Sequence, residues 1–411
     1  MKEKSVQEPD YEVDVHSVNR VVCIMGFTCS ASGLMSSLFD NHPNVLMFPD
    51  NVISSFQDFW EENSSLSLDL LLVKFLDKYT TIFDARTTPA GLEGSAETGE
   101  ARGFTTLGFD RKEFLEVDRS SFKLHMRELI GDIHPVPRKL FFQAMHLSYS
   151  KALGRQVKDP IIVFGLHSLG HPGRFEGLME DFSDVWFLYM VRHPVRATAS
   201  RLRLQVKSGL VGITSFYRII RGISTGGLTD LSVPANRWKA IRMEDLHRAP
   251  EDNMKNICHW LHLPWNKTLL QSTILGKQWW NQKDSAQISG FNPSISLQGH
   301  SEYLSKLDHL RLSVLLGKKT VFWDYSTSWW SKNLIIRLVV LPVAVLPLLV
   351  VPFKVELMFW KQMIKDNIAP KIRVLIGGYV LGRVALIRAW LLIFFGLGKE
   401  VQLLSLNHNK E

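Results

Sequence analysis

Residues 21–43 set the tightest limit on what this chain can fold into. The apolar run from Val21 to Met25 predicts a buried strand. Small residues from Gly26 to Gly33 follow as a loop. A helix then carries Leu34, Met35, Leu38 and Phe39 on one face and stops near His42-Pro43. Strand, small-residue loop and helix form a cradle for phosphate, because backbone N–H groups and the helix dipole both face the anion. The loop carries no cation. It also lacks the Lys-Ser/Thr ending of a nucleotide-triphosphatase loop, which argues against ATP hydrolysis. Taken alone, the same stretch is also compatible with an ordinary strand-to-helix turn.

Further strands and helices alternate along the chain. Val45 to Phe48 predicts a short second strand, and apolar residues at helical spacing between 52 and 82 predict two helices. Residues 84–110, rich in Gly, Thr, Ala and charge, have no period and predict a surface insertion or lid. Helices are expected near 119–131 and 138–152, and strands at Ile161–Leu166 and Val185–Val191. The second of these is apolar throughout, as a strand buried on both faces must be. A helix from Pro194, a strand at Lys239–Arg242 and a helix from Pro250 complete the pattern. Strands separated by helices imply an α/β fold of three layers, a mostly parallel sheet flanked by helices.

The chain has 411 residues and a net charge of +8, a balance that favours anionic partners. The charge is not gathered into a basic tail, so nucleic acid is not expected as a partner. The three cysteines, Cys23, Cys29 and Cys258, make neither a disulfide framework nor a metal spacing, and no metal is expected. Residues 1–18 are polar and charged without the apolar core of a signal peptide, which predicts a flexible leader and a cytoplasmic catalytic domain.

Beyond residue 325 the composition changes. Leu334 to Phe353 holds Arg337 as its one charge, a length that as a helix would match a bilayer core of roughly 30 Å. Pro342, Pro347 and Pro352 make it a poor straight helix. A basic stretch follows (Lys354, Lys361, Lys365, Lys371, Arg373), then a second apolar stretch, Val374 to Leu397, interrupted by Arg383 and Arg388. Interfacial helices with arginines reaching back to the headgroups fit this pattern better than a second span. Residues 326–411 are therefore expected to be an α-helical, membrane-associated tail that meets lipid through 334–398. A buried helical subdomain is the plainer alternative.

Two further motifs carry chemistry. Arg192 ends the apolar strand before His193-Pro194, and Ser200 follows eight residues later, under two turns into a helix. A guanidinium and a hydroxyl so placed meet one phosphate from two sides. Arg242-Met243-Glu244-Asp245-Leu246 precedes an amphipathic helix ending at Leu263-Pro264, and reads most simply as an ion pair at a helix entry.

Together the three motifs resemble the sulfotransferases that use 3′-phosphoadenosine-5′-phosphosulfate (PAPS), over residues 20 to about 325. The family's first loop, Gly-x-Pro-Arg/Lys-Ser-Gly-Thr-Thr-Leu-Leu before a helix ending in His-Pro, is matched without a gap by Gly26, Ser30, Ser32, Leu34, Leu38, His42 and Pro43. The family's Arg and Ser on the 3′-phosphate keep their spacing in Arg192 and Ser200. Its Arg-Tyr-Glu-Asp-Leu and Leu-Gly-Leu-Pro segments resemble Arg242–Leu246 and Leu261–Pro264. Four positions depart from the loop pattern. Cys29 replaces the Arg or Lys, Thr28 the Pro, Ala31 the Gly, and Gly33 the second Thr.

The resemblance implies a sulfotransferase domain over 19–325 with PAPS as cosubstrate. Gly26, Phe27, Thr28, Cys29, Ser30, Ala31, Ser32 and Gly33 would line the 5′-phosphate, and Arg192 and Ser200 the 3′-phosphate. It implies direct in-line transfer of the sulfuryl group to a hydroxyl or amine, with a general base taking the acceptor proton. Asp50 stands where one branch of the family has its Glu base, and His167 and His171 are alternatives, with His134 and His146 behind them. The apolar tail suggests a membrane-proximal acceptor such as a lipid, glycolipid or glycan. Cys29 motivates a different reading, a catalytically weak PAPS- or nucleotide-binding membrane protein. Lys158, Arg174 and Arg242 are the candidates to replace the missing loop cation.

Overall fold

The computed structural model describes residues 13–27, 29–49, 52–88, 98–166, 173–207, 219–220, 222–223, 226, 228–229, 233–280, 289–294, 303–325, 399–404 and single positions between 335 and 391. In chain order the strands are β1 (Arg20–Gly26), β2 (Val45–Leu46), β3 (Ile161–Gly165), β4 (Asp184–Val191), β5 (Leu228–Thr229), β6 (Trp238–Arg242), β7 (Thr273–Ile274), β8 (Lys277–Gln278) and β9 (Lys399–Glu400). The helices are α1 (Ser32–Phe39), α2 (Phe56–Asn63), α3 (Leu68–Lys78), α4 (Arg119–Ile130), α5 (Arg138–Ala152), α6 (Gly173–Asp181), α7 (Pro194–Lys207), α8 (Met243–Arg248), α9 (Pro250–Leu261) and α10 (Lys306–Phe322).

Five strands form a parallel sheet in the order β2-β3-β1-β4-β6. Its centre is built by two apolar runs, β1 and β4. Ile24 lies opposite Leu188, and Gly26 opposite Met190. Successive residues of a strand face opposite sides, and here both sides are dry. Val21, Cys23 and Met25, with Phe187 and Tyr189, enter one apolar cluster, and Val22 and Ile24, with Trp186, Leu188 and Met190, enter the other. Helix α1 (Met35, Leu38, Phe39) and helix α9 (Met254, Ile257, Leu261) cover the second cluster. The first is closed by α5, α7 and α10, and extends into a group of rings around Phe48, Phe56, Phe59, Phe75 and Phe141. The layered α/β architecture expected from the sequence is present.

His42 fixes the far end of α1. Its Nδ1 accepts the N–H of Asn44 at 3.1 Å, which leaves Nε2–H to donate to the Pro264 carbonyl at 2.9 Å. The His-Pro ending thus clamps α1 to the chain that leaves α9. Burial holds the His42 pKa below its ordinary value, with the bond to Pro264 opposing.

Within 84–110, residues 89–97 lie outside the described residues. The flanks are pinned rather than loose. Phe104 and Leu107 are fully buried, Trp279 Nε1 donates to the Arg102 carbonyl at 3.0 Å, and Trp280 Nε1 donates to the Gly108 carbonyl at 2.7 Å.

Among the described residues no helix is long and apolar enough to cross a membrane. Most of 326–398 lies outside them. Residues 399–404 differ from the helical tail expected there. Lys399–Glu400 pairs antiparallel with β5, and Leu403 bridges to Ala240 of β6.

Candidate active site

The C-terminal ends of parallel strands lie along one edge of the sheet, and β1 and β4 are neighbours there. The turn after β1 begins at Gly26, where a Cβ would fall 2.3 Å from Ser30 Oγ and 2.8 Å from the Met190 carbonyl. Only glycine fits between the loop and β4. Ser30 is buried, and its hydroxyl donates to the Phe27 carbonyl at 2.6 Å, curling the turn. Cys29 (φ 59°) and Ala31 (φ 68°) both adopt left-handed backbone, which costs a side chain roughly 1–2 kcal/mol per residue. Left-handed residues in tight turns are a common element of the backbone N–H nests that receive anions. Ala31 also caps α1, accepting the Met35 N–H at 3.0 Å. Phe27 points inward and stacks on Trp323, ring centroids 5.7 Å apart, so its side chain backs the loop. Ser32 and Gly33 open α1. Thr28 lies outside the described residues.

Beside this turn is the one after β4. Arg192 is 5% exposed. Its Nη1 donates to the Cys29 carbonyl at 3.2 Å and to Ser200 Oγ at 3.0 Å. The three positions singled out separately in the sequence therefore meet. Arg192 Nε is buried without a hydrogen-bond partner among the described residues, as is Nδ1 of His193. Burial lowers the Arg192 pKa from the ordinary arginine value, and Glu244 is among the groups that oppose this. A buried guanidinium with an unused N–H, beside a tight turn that carries no charged side chain, is a donor set that suits a phosphate.

Glu244 organises the next layer. One carboxylate oxygen accepts the His193 N–H at 3.0 Å, and the other accepts the Tyr325 hydroxyl at 2.7 Å. The Tyr325 ring meets His193 edge-on at 5.2 Å. Burial and the neighbouring charge of Arg196 push the His193 pKa down to about 4. His247, whose Nδ1 accepts the Asn292 N–H at 3.0 Å, is pushed down to about 4 by burial and by Arg192. Both imidazoles are neutral at pH 7.

The substitute cations resolve on position. Lys158 precedes β3 and its carbonyl accepts from Asn44, which precedes β2, so it stands at the opposite edge of the sheet from the loop. Arg242 reaches the right edge but is paired with Asp245 and donates to the Asp324 carbonyl at 2.7 Å, the ion pair its sequence context predicted. The side chain of Arg174 lies outside the described residues. The guanidinium that reaches Cys29 is Arg192.

Asp50, His167 and His171 also lie outside the described residues. Pro49, just before Asp50, and Leu166, just before His167, follow the C-terminal ends of β2 and β3, on the same edge as the loop. His146 is corrected from candidate base to core residue. It is fully buried between Phe48 and Phe142, its Nδ1 bonds the Phe142 carbonyl at 2.7 Å, and burial pushes its pKa down to about 4. His134 is exposed in the turn between α4 and α5. Sequence reasoning missed Glu244, Tyr325 and Trp323 as parts of the site's wall. The Arg242–Leu246 segment, read there as an ion pair at a helix entry, was the one local signal for Glu244, and no motif marked Trp323 or Tyr325.

The parallel α/β sheet thus carries a tight left-handed turn and a buried arginine side by side at its C-terminal edge. The model of the sulfotransferase family matches residues 22–267, and the chain belongs to that family. Among solved structures, similar chains include the sulfotransferase domain from the Synechococcus PCC 7002 olefin synthase (18% identity, 75% of this chain and 97% of that chain, TM-score 0.41). Another is the sulfotransferase domain from the curacin biosynthetic pathway (16%, 75% and 99%, TM-score 0.42). A third is sulfotransferase STF9 from Mycobacterium avium (15%, 62% and 70%, TM-score 0.32). No curated protein matches the chain.

Proposed function

We propose that this sulfotransferase domain transfers the sulfuryl group of PAPS to a hydroxyl or amine of a membrane-proximal acceptor, such as a lipid, glycolipid or glycan, on the cytoplasmic side of the membrane. The observation that carries this reading is the single guanidinium of Arg192 placed between the Cys29 carbonyl and the Ser200 hydroxyl. The turn from Gly26 to Gly33 would receive the 5′-phosphate, and Arg192 with Ser200 the 3′-phosphate.

In the reaction the acceptor oxygen or nitrogen attacks sulfur in line with the bond to the 5′-phosphate. The new bond forms as the bridging S–O bond breaks, and its electron pair leaves on the nucleotide phosphate. Asp50, or His167 in its place, takes the acceptor proton. Loop N–H groups and the α1 dipole stabilise the charge gathered on the leaving oxygen. No cation stands on the loop itself; among the described residues the guanidinium of Arg192 reaches the loop, at the Cys29 carbonyl.

The membrane reading is supported by apolar residues at helical spacing. Ile335, Leu338 and Val339, and then Val384, Ile387 and Leu391, are helical and exposed, with Lys361 and Arg388 exposed among them. Apolar faces bordered by cations suit an interface of anionic headgroups.

Cys29 favours a second reading, a binder that transfers poorly. Labelled PAPS with membrane extracts as acceptor separates the two. The enzyme reading expects transfer by the wild type, and a Cys29→Arg change that is not needed for it. Transfer seen only in the Cys29→Arg variant makes the binder the better account.

A further inference from the structure

We infer that the apolar segment between Tyr325 and Lys399 is an excursion fixed at both ends to the sulfotransferase domain, so that it enters and leaves the bilayer on the domain's own side. The bilayer part rests on the membrane reading above; the two anchors do not.

The outgoing end is held in the wall of the site. Trp323 is fully buried against Phe27, and the Tyr325 hydroxyl donates to Glu244 at 2.7 Å. The returning end joins the sheet. Residues Lys399 and Glu400 of β9 pair with Thr229 and Leu228 of β5. The chain then runs beside β6, where the Ala240 N–H donates to the Gln402 carbonyl and the Leu404 N–H donates to the Ala240 carbonyl, both at 2.7 Å. β6 is one of the two edge strands of the five, and this segment covers an edge that would otherwise present unpaired backbone groups.

The two ends also touch. Lys319, on the helix that leads out, is 0% exposed and donates to Glu400 at 2.6 Å and to the Gly226 carbonyl at 2.9 Å. Trp323 Nε1 donates to the Val401 carbonyl at 3.4 Å. An ammonium so deeply buried needs its carboxylate, because removing one partner of a buried pair strands the other charge. The returning strand is therefore part of the domain and of the wall behind Phe27, not an appendage. A chain that leaves one rigid body and returns to it crosses any bilayer an even number of times. The two apolar stretches, 334–353 and 374–397, leave room for this.

The test uses the full chain with one epitope tag before residue 1 and another after residue 411, in sealed vesicles from the expressing cells treated with protease. Both tags should be cut together or protected together. One tag cut while the other is protected in intact vesicles overturns the inference. Hydrogen exchange on the detergent-purified full chain tests the anchor directly. The Ala240 and Leu404 amides should exchange slowly, and Glu400→Gln should speed Leu404 by about tenfold or more. Fast exchange at Leu404 in the wild type overturns the return strand. Recovery of the whole chain in the soluble fraction overturns the membrane reading and the topology with it, and leaves slow exchange to decide the anchor alone.

Discussion

The turn after β1 and the turn after β4 lie side by side at one edge of the sheet and supply opposite things. The first runs from Gly26 through Ala31, turns left-handed at Cys29 and Ala31, and carries no charged side chain. The second is only Arg192 and His193 before Pro194 opens α7, and it carries the buried guanidinium. Shape comes from one turn and charge from the other. The guanidinium proposed for the 3′-phosphate also bonds the carbonyl of Cys29, the residue that stands where the family's loop pattern has its cation.

That division is broken most directly at Arg192. Arg192→Ala should lower kcat/KM for PAPS by about 10–10²-fold, mainly through KM, because a hydrogen bond to a charged phosphate contributes about 1.5–3 kcal/mol. Arg192→Lys keeps the charge but not the fork that reaches Cys29 and Ser200 together, and should recover only part of the loss. A variant with unaltered kcat/KM for labelled PAPS would mean that the first turn works without its neighbour's charge.

The histidines sharpen the contrast between the site edge and the aromatic core. The folded pKa of His146, about 4, lies below its unfolded value of roughly 6.5, so the unfolded chain takes the proton first. The stability this gives is complete above roughly pH 6.5 and is lost as pH falls toward 4, an effect on the order of 3 kcal/mol for one fully buried imidazole. His146→Leu should flatten the fall in denaturant midpoint across that window. An unchanged slope would place the acid sensitivity in His193 and His247 instead, at the site.

The first turn is tested at Gly26. The Cβ of Gly26→Ala would meet Ser30 Oγ and the Met190 carbonyl, and one of those contacts is backbone of the central strand. Overpacking of this kind costs about 1–3 kcal/mol. A drop in Tm together with weaker PAPS binding is expected, and a variant with wild-type Tm would show that the turn can open away from β4.

Much of this arrangement was legible because it is local. The runs Val21–Met25 and Val185–Val191 gave the two central strands, and small residues ending at a helix gave the cradle. The spacing of Arg192 and Ser200 marked a strand end and the helix turn above it. What sequence could not give is which residues meet across the chain. Glu244 and Tyr325 are 81 positions apart, as are Lys319 and Glu400, and periodicity reports a face without naming its partner. Lys158 illustrates the same limit, since a lysine before a strand looks like one after it until the sheet has direction. The return of the chain to the domain at 399–404 was hidden by the apolar run before it, whose composition coloured everything that followed.

The smallest effect probes the joint between the two turns. Ser200 Oγ accepts from Arg192 at 3.0 Å and would give its own proton to a 3′-phosphate. Ser200→Ala removes one neutral hydrogen bond, about 0.5–1.5 kcal/mol, or roughly 3–10-fold in KM for PAPS. kcat should hold, because the 3′-phosphate takes no part in breaking the S–O bond. In an Arg192→Ala background the same change should cost almost nothing further, since a hydroxyl and a guanidinium that share one anion lose their joint interaction only once. Additive losses in the double variant would mean that Ser200 and Arg192 serve separate groups, and the second turn would then hold two sites where the geometry places one.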